Sequence, residues 1–103
     1  MFDDKKKGLE KIIDLDTQKK FKVTATRNKS LGRWAGEQLG LEKSKIDGYV
    51  DEVIMADFEK PGFEDVIKKI LNDFKKAGIS ISYNEIKETL LKYEKEAINK
   101  ISE

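Results

Sequence analysis

The chain has 103 residues, 40% of them charged and 38% hydrophobic, with a net charge of +1, one proline, no cysteine and no histidine. That length suits one domain with a thin core, and the charge-rich balance suits amphipathic helices better than a sheet. The missing residue types remove a disulfide framework, thiolate chemistry, Ser-His and Cys-His nucleophiles and most zinc sites, so an enzyme would have to work with carboxylates and lysines alone.

Residues 1–15 open the chain with apolar Phe2, Leu9, Ile12 and Ile13, interrupted by Gly8 and flanked by Lys5, Lys6 and Lys7. Glycine costs a helix roughly 1 kcal/mol relative to alanine, and an isolated helix of this length is marginal, so the segment is expected to be mobile in the free protein. The acids Asp3, Asp4 and Glu10 do not fit a secretory signal or a mitochondrial presequence. No apolar run approaches the roughly 18–20 residues that span a bilayer, and a cytoplasmic protein is expected.

Four helices are predicted over residues 16–103. The first runs from Asp16, a plausible N-cap, to Leu39 and stops at Gly40, with Phe21, Ala25, Asn28, Leu31, Gly32, Ala35 and Leu39 on one face at helical spacing. Asn28, central in that stripe, reads as a buried polar group with a partner. The second starts at Ser44, where Ser44-Lys45-Ile46-Asp47 resembles a capping box. Its stripe is Ile46, Tyr49, Val50, Val53 and Ile54, extending to Phe58, and Pro61-Gly62 breaks the chain. The third runs from about Phe63 to Ala77 with Val66, Ile67, Ile70, Leu71 and Phe74 inward, and Gly78 stops it. After the Ile79-Ser80-Ile81 linker, Ser82-Tyr83-Asn84-Glu85 is a second capping box, and Ile86, Leu90, Tyr93, Ala97 and Ile101 form the stripe of the last helix. Short connections favour antiparallel neighbours, hence an all-α, four-helix, bundle-like domain.

Charge is unevenly placed along these helices. Residues 17–36 carry Lys19, Lys20, Lys22, Arg27, Lys29 and Arg33 with no acid, whereas acids dominate residues 37–65. A basic helix of this kind can serve nucleic acid or phosphate. It can equally lie beside the acidic helix that follows, and the near-cancellation of neighbouring blocks favours that second reading, with no nucleic acid expected. Arg27, Lys29 and Arg33, with Trp34 against a base, make a candidate site for weak adenine-nucleotide binding. Packing on a second helix is the competing role for Trp34, and the small residues Ala25, Gly32, Ala35 and Gly36 would allow close helix approach. Paired carboxylates such as Asp51-Glu52 and Glu64-Asp65 sit side by side on helices and do not converge, Asp47 and Asp51 read as a solvated face rather than a metal site, and no phosphate loop, dinucleotide fingerprint or calcium loop is present. No catalytic residue, metal or required cofactor is assigned.

The chain resembles the zeta subunit family, small inhibitors of the bacterial F-type ATP synthase. The resemblance lies in Phe2-Asp3-Asp4, Phe21-Lys22, Arg27-Asn28-Lys29, Gly32, Trp34-Ala35, Glu37 and Leu39-Gly40-Leu41. It continues through Tyr49, Glu52-Val53, Ala56-Asp57-Phe58-Glu59 and Gly62-Phe63-Glu64-Asp65-Val66. It implies a four-helix domain over residues 16–103 preceded by an inhibitory segment over residues 1–15. By that analogy the segment enters the catalytic α/β interface, near the central stalk, of a membrane-bound synthase and blocks rotation in the hydrolysis direction. Phe2, Leu9, Ile12 and Ile13 would then be its apolar anchors, with Lys5, Lys6, Lys7 and Lys11 meeting acidic groups.

Overall fold

The computed structural model describes residues 17–57 and 62–102. Over them the chain forms four α-helices and no strand: α1 (Thr17–Gln38), α2 (Lys43–Asp57), α3 (Glu64–Lys76) and α4 (Tyr83–Ser102). This is the expected all-α, four-helix architecture. The expected N-terminal segment and the expected inward role of Phe58 lie outside the described residues.

Glycine and capping chemistry set most of the helix ends. Gly40 and Gly78 adopt positive φ, 75° and 73°, a conformation that costs a Cβ-bearing residue and is open to glycine. Each then closes a Schellman turn. Leu41 N–H donates to the Gly36 carbonyl at 3.1 Å and Gly40 N–H to that of Glu37 at 3.0 Å. Ile79 N–H likewise donates to Phe74 at 2.8 Å and Gly78 N–H to Lys75 at 3.1 Å. At the start of α4 the capping box is reciprocal, Ser82 N–H donating to Glu85 and Glu85 N–H to the Ser82 hydroxyl, both at 3.2 Å. The box expected at Ser44 is not used. Helix α2 already begins at Lys43, and the Lys45 and Ile46 amides both donate to the Glu42 carbonyl, so Ser44 lies within the first turn. Helix α3 has no side-chain cap at Phe63; Glu64 and Asp65 in its first turn and Lys75 and Lys76 in its last complement the helix dipole instead.

Neighbouring helices run antiparallel, and the pairings give their register. A Cβ on Gly32 would lie 3.0 Å from the Val50 Cα and one on Gly36 3.4 Å from Ile46, so the backbones of α1 and α2 touch through the small residues. Arg27 meets Glu94 of α4, and Val23 packs with Ala97 and Ile98. Glu52 and Tyr49 of α2 meet Lys69 and Asp73 of α3. The basic α1 therefore does lie against the acid-bearing α2. The main core joins Leu31 and Ala35 to Tyr49, Val53, Val66, Ile67, Ile70, Phe74, Ile86 and Leu90. A smaller cluster of Val23, Ala97 and Ile98 lies at the far end of α1.

One part of the predicted stripe fails. Asn28, Leu31, Gly32 and Ala35 are buried, but Phe21 is 65% exposed and Ala25 is exposed as well. Helix α1 has 22 residues and α2 has 15, lengths of about 33 and 22 Å. Asp57, the last residue of α2, stands level with Arg27. Among the described residues the first third of α1 extends past α2 and packs on α4 alone, on the side of Val23 and Arg27. Phe21 and Ala25 continue the α2-facing side of α1 past the described part of α2.

Candidate functional site

The candidate residues on α1 divide between two faces. Arg27 and Trp34, seven residues apart, turn inward; Lys29 and Arg33, four apart, turn to solvent. Arg27 is 6% exposed and its guanidinium is fully engaged. It donates to Asn28 Oδ1 at 3.0 Å and to Glu94 Oε1 at 3.0 Å, and lies 3.5 Å from Asp57 Oδ1. Three helices are thereby joined through one side chain. Asn28 has the buried partner expected of it, and no buried side-chain N or O among the described residues lacks a hydrogen bond. Trp34 packs edge-on against Phe74 of α3, ring centroids 5.7 Å apart at 71°.

The four-residue nucleotide site expected on α1 is therefore not assembled. Its first cation is neutralised by two carboxylates, its ring is spent on packing, and only Lys29 and Arg33 remain toward solvent. Arg33 does line an open depression of about 280 Å³ with Glu37, Lys43, Ile46 and Asp47. Its two carboxylates offset Arg33 and Lys43, so the depression offers a phosphate group no net positive charge.

A second polar cluster joins α2 and α3. Tyr49 donates its hydroxyl proton to Asp73 Oδ2 at 2.8 Å, and Lys69 Nζ reaches the same oxygen at 2.9 Å and Glu52 at 3.0 Å. The ammonium also lies 5.1 Å from the Tyr49 ring centre. Burial, followed by the hydrogen bond and charge of Asp73, drives the Tyr49 pKa far above its ordinary value. Partial burial pulls the Lys69 pKa down, but its bonds to Asp73 and Glu52 outweigh that and leave it raised. These groups hold charge and protons in place rather than poising them for transfer near neutral pH. No group of three or more carboxylates among the described residues is placed to hold a metal ion.

Asp57 and Glu94, which hold Arg27, and the Tyr49–Asp73–Lys69 cluster were not found from sequence. Arg27 stands 30 and 67 residues from its carboxylates and Tyr49 stands 24 from Asp73, beyond any helical spacing rule, whereas Lys69 and Asp73 are an i, i+4 pair on α3. The usable signals were Arg27 itself, seven residues from Trp34 and so on its face, and the i, i+4 spacing of Lys69 and Asp73. Phe2, Lys5, Lys6, Lys7, Leu9, Ile12 and Ile13, expected to bind the partner, lie outside the described residues.

What the described residues build is a small helical domain whose buried polar groups are paired with one another across its helices. No helix among them is long and apolar enough to cross a membrane. The family model for ATPase inhibitor subunit zeta matches residues 1–100, and the chain belongs to that family. Among curated proteins no match is found.

Proposed function

We propose that this chain is a regulatory, non-catalytic inhibitor that binds the catalytic head of an F-type ATP synthase and blocks ATP hydrolysis through residues 1–15. In this reading residues 16–103 are the four-helix domain, the α/β subunits and central stalk are the partners, and the protein works in the cytoplasm beside the membrane-bound enzyme. No cofactor is required. The observation that carries the reading is a family match running over residues 1–100, segment and bundle together.

The division of labour has a physical reason. Ordering some 15 residues costs backbone entropy that four apolar anchors do not offset by themselves. A folded domain docked beside the segment raises its effective concentration and makes up the difference. The test is titration of the full chain into purified synthase while ATP hydrolysis is followed, with a variant lacking residues 1–15 in parallel. Inhibition by the full chain alone is expected, with both proteins giving the same helical spectrum. Equal potency of the shortened variant would refute the role of the segment.

A further inference from the structure

We propose that the overhanging third of α1 is the surface through which the folded domain docks on its partner, with Phe21 as the central contact. The inference rests on the inhibitory reading above and names a second attachment point within it. Gln18, Phe21, Lys22, Ala25 and Lys29 follow one another at helical spacing and are all exposed. That pattern of i, i+3, i+4 and i+7 positions is how a helix presents itself to a groove.

Phe21, at 65% exposed, is the largest apolar side chain left open among the described residues. The described part of α2 reaches Asp57, level with Arg27, and no other described helix lies against the α2-facing side of α1 beyond that point. Aromatic side chains in such positions are the usual anchors of interfaces. Lys22 and Lys29 flank Phe21 and Ala25, neither makes an ion pair among the described residues, and no acid occurs anywhere in α1 before Glu37.

These charges define the occupant. A second copy of this chain would bring lysine against lysine, which disfavours a symmetric contact through this stripe. The surface that fits is an apolar notch rimmed by carboxylates on a protein. Continuity says where that protein is, since the stripe begins at residue 18, directly after the proposed inhibitory segment. Whatever receives residues 1–15 must have its outer edge next to Phe21.

The experiment uses the full chain and isolated catalytic heads of its synthase, reading binding by fluorescence anisotropy and inhibition by ATP hydrolysis. Phe21→Ala is compared with the parent, with Lys22→Glu/Lys29→Glu, and with Met55→Ala, which removes an equally open apolar side chain (64% exposed) on α2. Alanine is the best helix former, so Phe21→Ala keeps its fold, as thermal melting will show. Phe21→Ala and the double charge reversal are expected to weaken binding and inhibition on the order of tenfold, and Met55→Ala less than about twofold. If the parent inhibits and Phe21→Ala inhibits equally well, the docking surface is refuted and the inhibitory segment survives. If the parent binds without inhibiting and Phe21→Ala weakens binding, the docking surface survives and the inhibitory reading falls. A parent that neither binds nor inhibits overturns both. Phe21-dependent dimers in sedimentation, or Phe21-dependent binding of a single-stranded RNA tighter than to the heads at physiological salt, would also overturn the proposal.

Discussion

Arg27 is the side chain whose loss should cost this fold most for its size. The residue is 6% exposed, and its guanidinium sits among Asn28, Glu94 and Asp57, which belong to three helices. In Arg27→Met the apolar stem is retained while the charge is removed, so packing changes little. The Asp57 and Glu94 side chains, 15% and 21% exposed, are left without their cation, and Asn28 loses its donor. Removing one partner of a fully buried ion pair costs about 3–5 kcal/mol. Both carboxylates here reach some water, which reduces the expected cost to about 2–3 kcal/mol. Against a total stability of roughly 5–15 kcal/mol that is a large fraction, and it lowers Tm by roughly 8–24 °C for a domain of this size.

The assay is urea unfolding followed by far-ultraviolet circular dichroism on the parent, Arg27→Met, and Arg27→Met/Asp57→Asn/Glu94→Gln. Neutralising the stranded carboxylates should recover about half or more of the loss, because the cost lies in unpaired buried charge and not in a missing contact. An Arg27→Met variant within about 0.5 kcal/mol of the parent would refute the reasoning, as would a triple variant no more stable than the single. Glu52→Ala is the internal contrast. Its carboxylate also pairs with a cation, Lys69, but is 62% exposed, so the loss should stay below about 1 kcal/mol.

Two further outcomes follow from the packing and the polar clusters. Gly32→Ala sets a Cβ 3.0 Å from the Val50 Cα, a backbone atom with little room to move, whereas a Cβ on Gly48 meets nothing within 4 Å. Gly32→Ala should therefore destabilise by about 1–2 kcal/mol despite its better helix propensity, and Gly48→Ala should stabilise by roughly 0.5–1 kcal/mol; calorimetric melts that rank them the other way would be decisive. Tyr49 has its pKa raised from an ordinary 10.0 by burial and by Asp73, and Lys69 is raised from 10.5. Their contribution is complete below pH 10 and declines as pH rises above it, because the unfolded chain loses these protons first. The urea midpoint of the parent should fall between pH 10 and 11, and that of Tyr49→Phe should fall less; superposable curves would contradict it.

The fold was legible in the sequence wherever its cause was local. Gly40 and Gly78 stop helices through a backbone conformation that needs no tertiary partner, and Ser82 and Glu85 cap α4 from within one turn. Ser44 failed although its motif looked similar, because Asp47 stands where a longer Glu side chain completes the box at Ser82, and the helix began a residue earlier. The polar clusters were out of reach for the opposite reason: Arg27 meets Glu94 only after three helices have packed. Arg27, a candidate phosphate ligand in the sequence, lies buried between two carboxylates that no local pattern announces.

Phe21 lies between these cases. Helical periodicity correctly assigned it to the α2-facing side of α1, with Asn28, Gly32 and Ala35, but a stripe records direction and carries no information on how far the partner extends. Burial along a stripe lasts only as far as the partner helix extends, and the described part of α2 reaches Asp57. Phe21, which continues the stripe past that point, belongs to neither cluster of buried residues. Phe21 is 65% exposed, and alanine at the same place would favour the helix more and expose less apolar surface. Packing among the described residues therefore does not account for Phe21, which is why a contact beyond them is the place to look for its role.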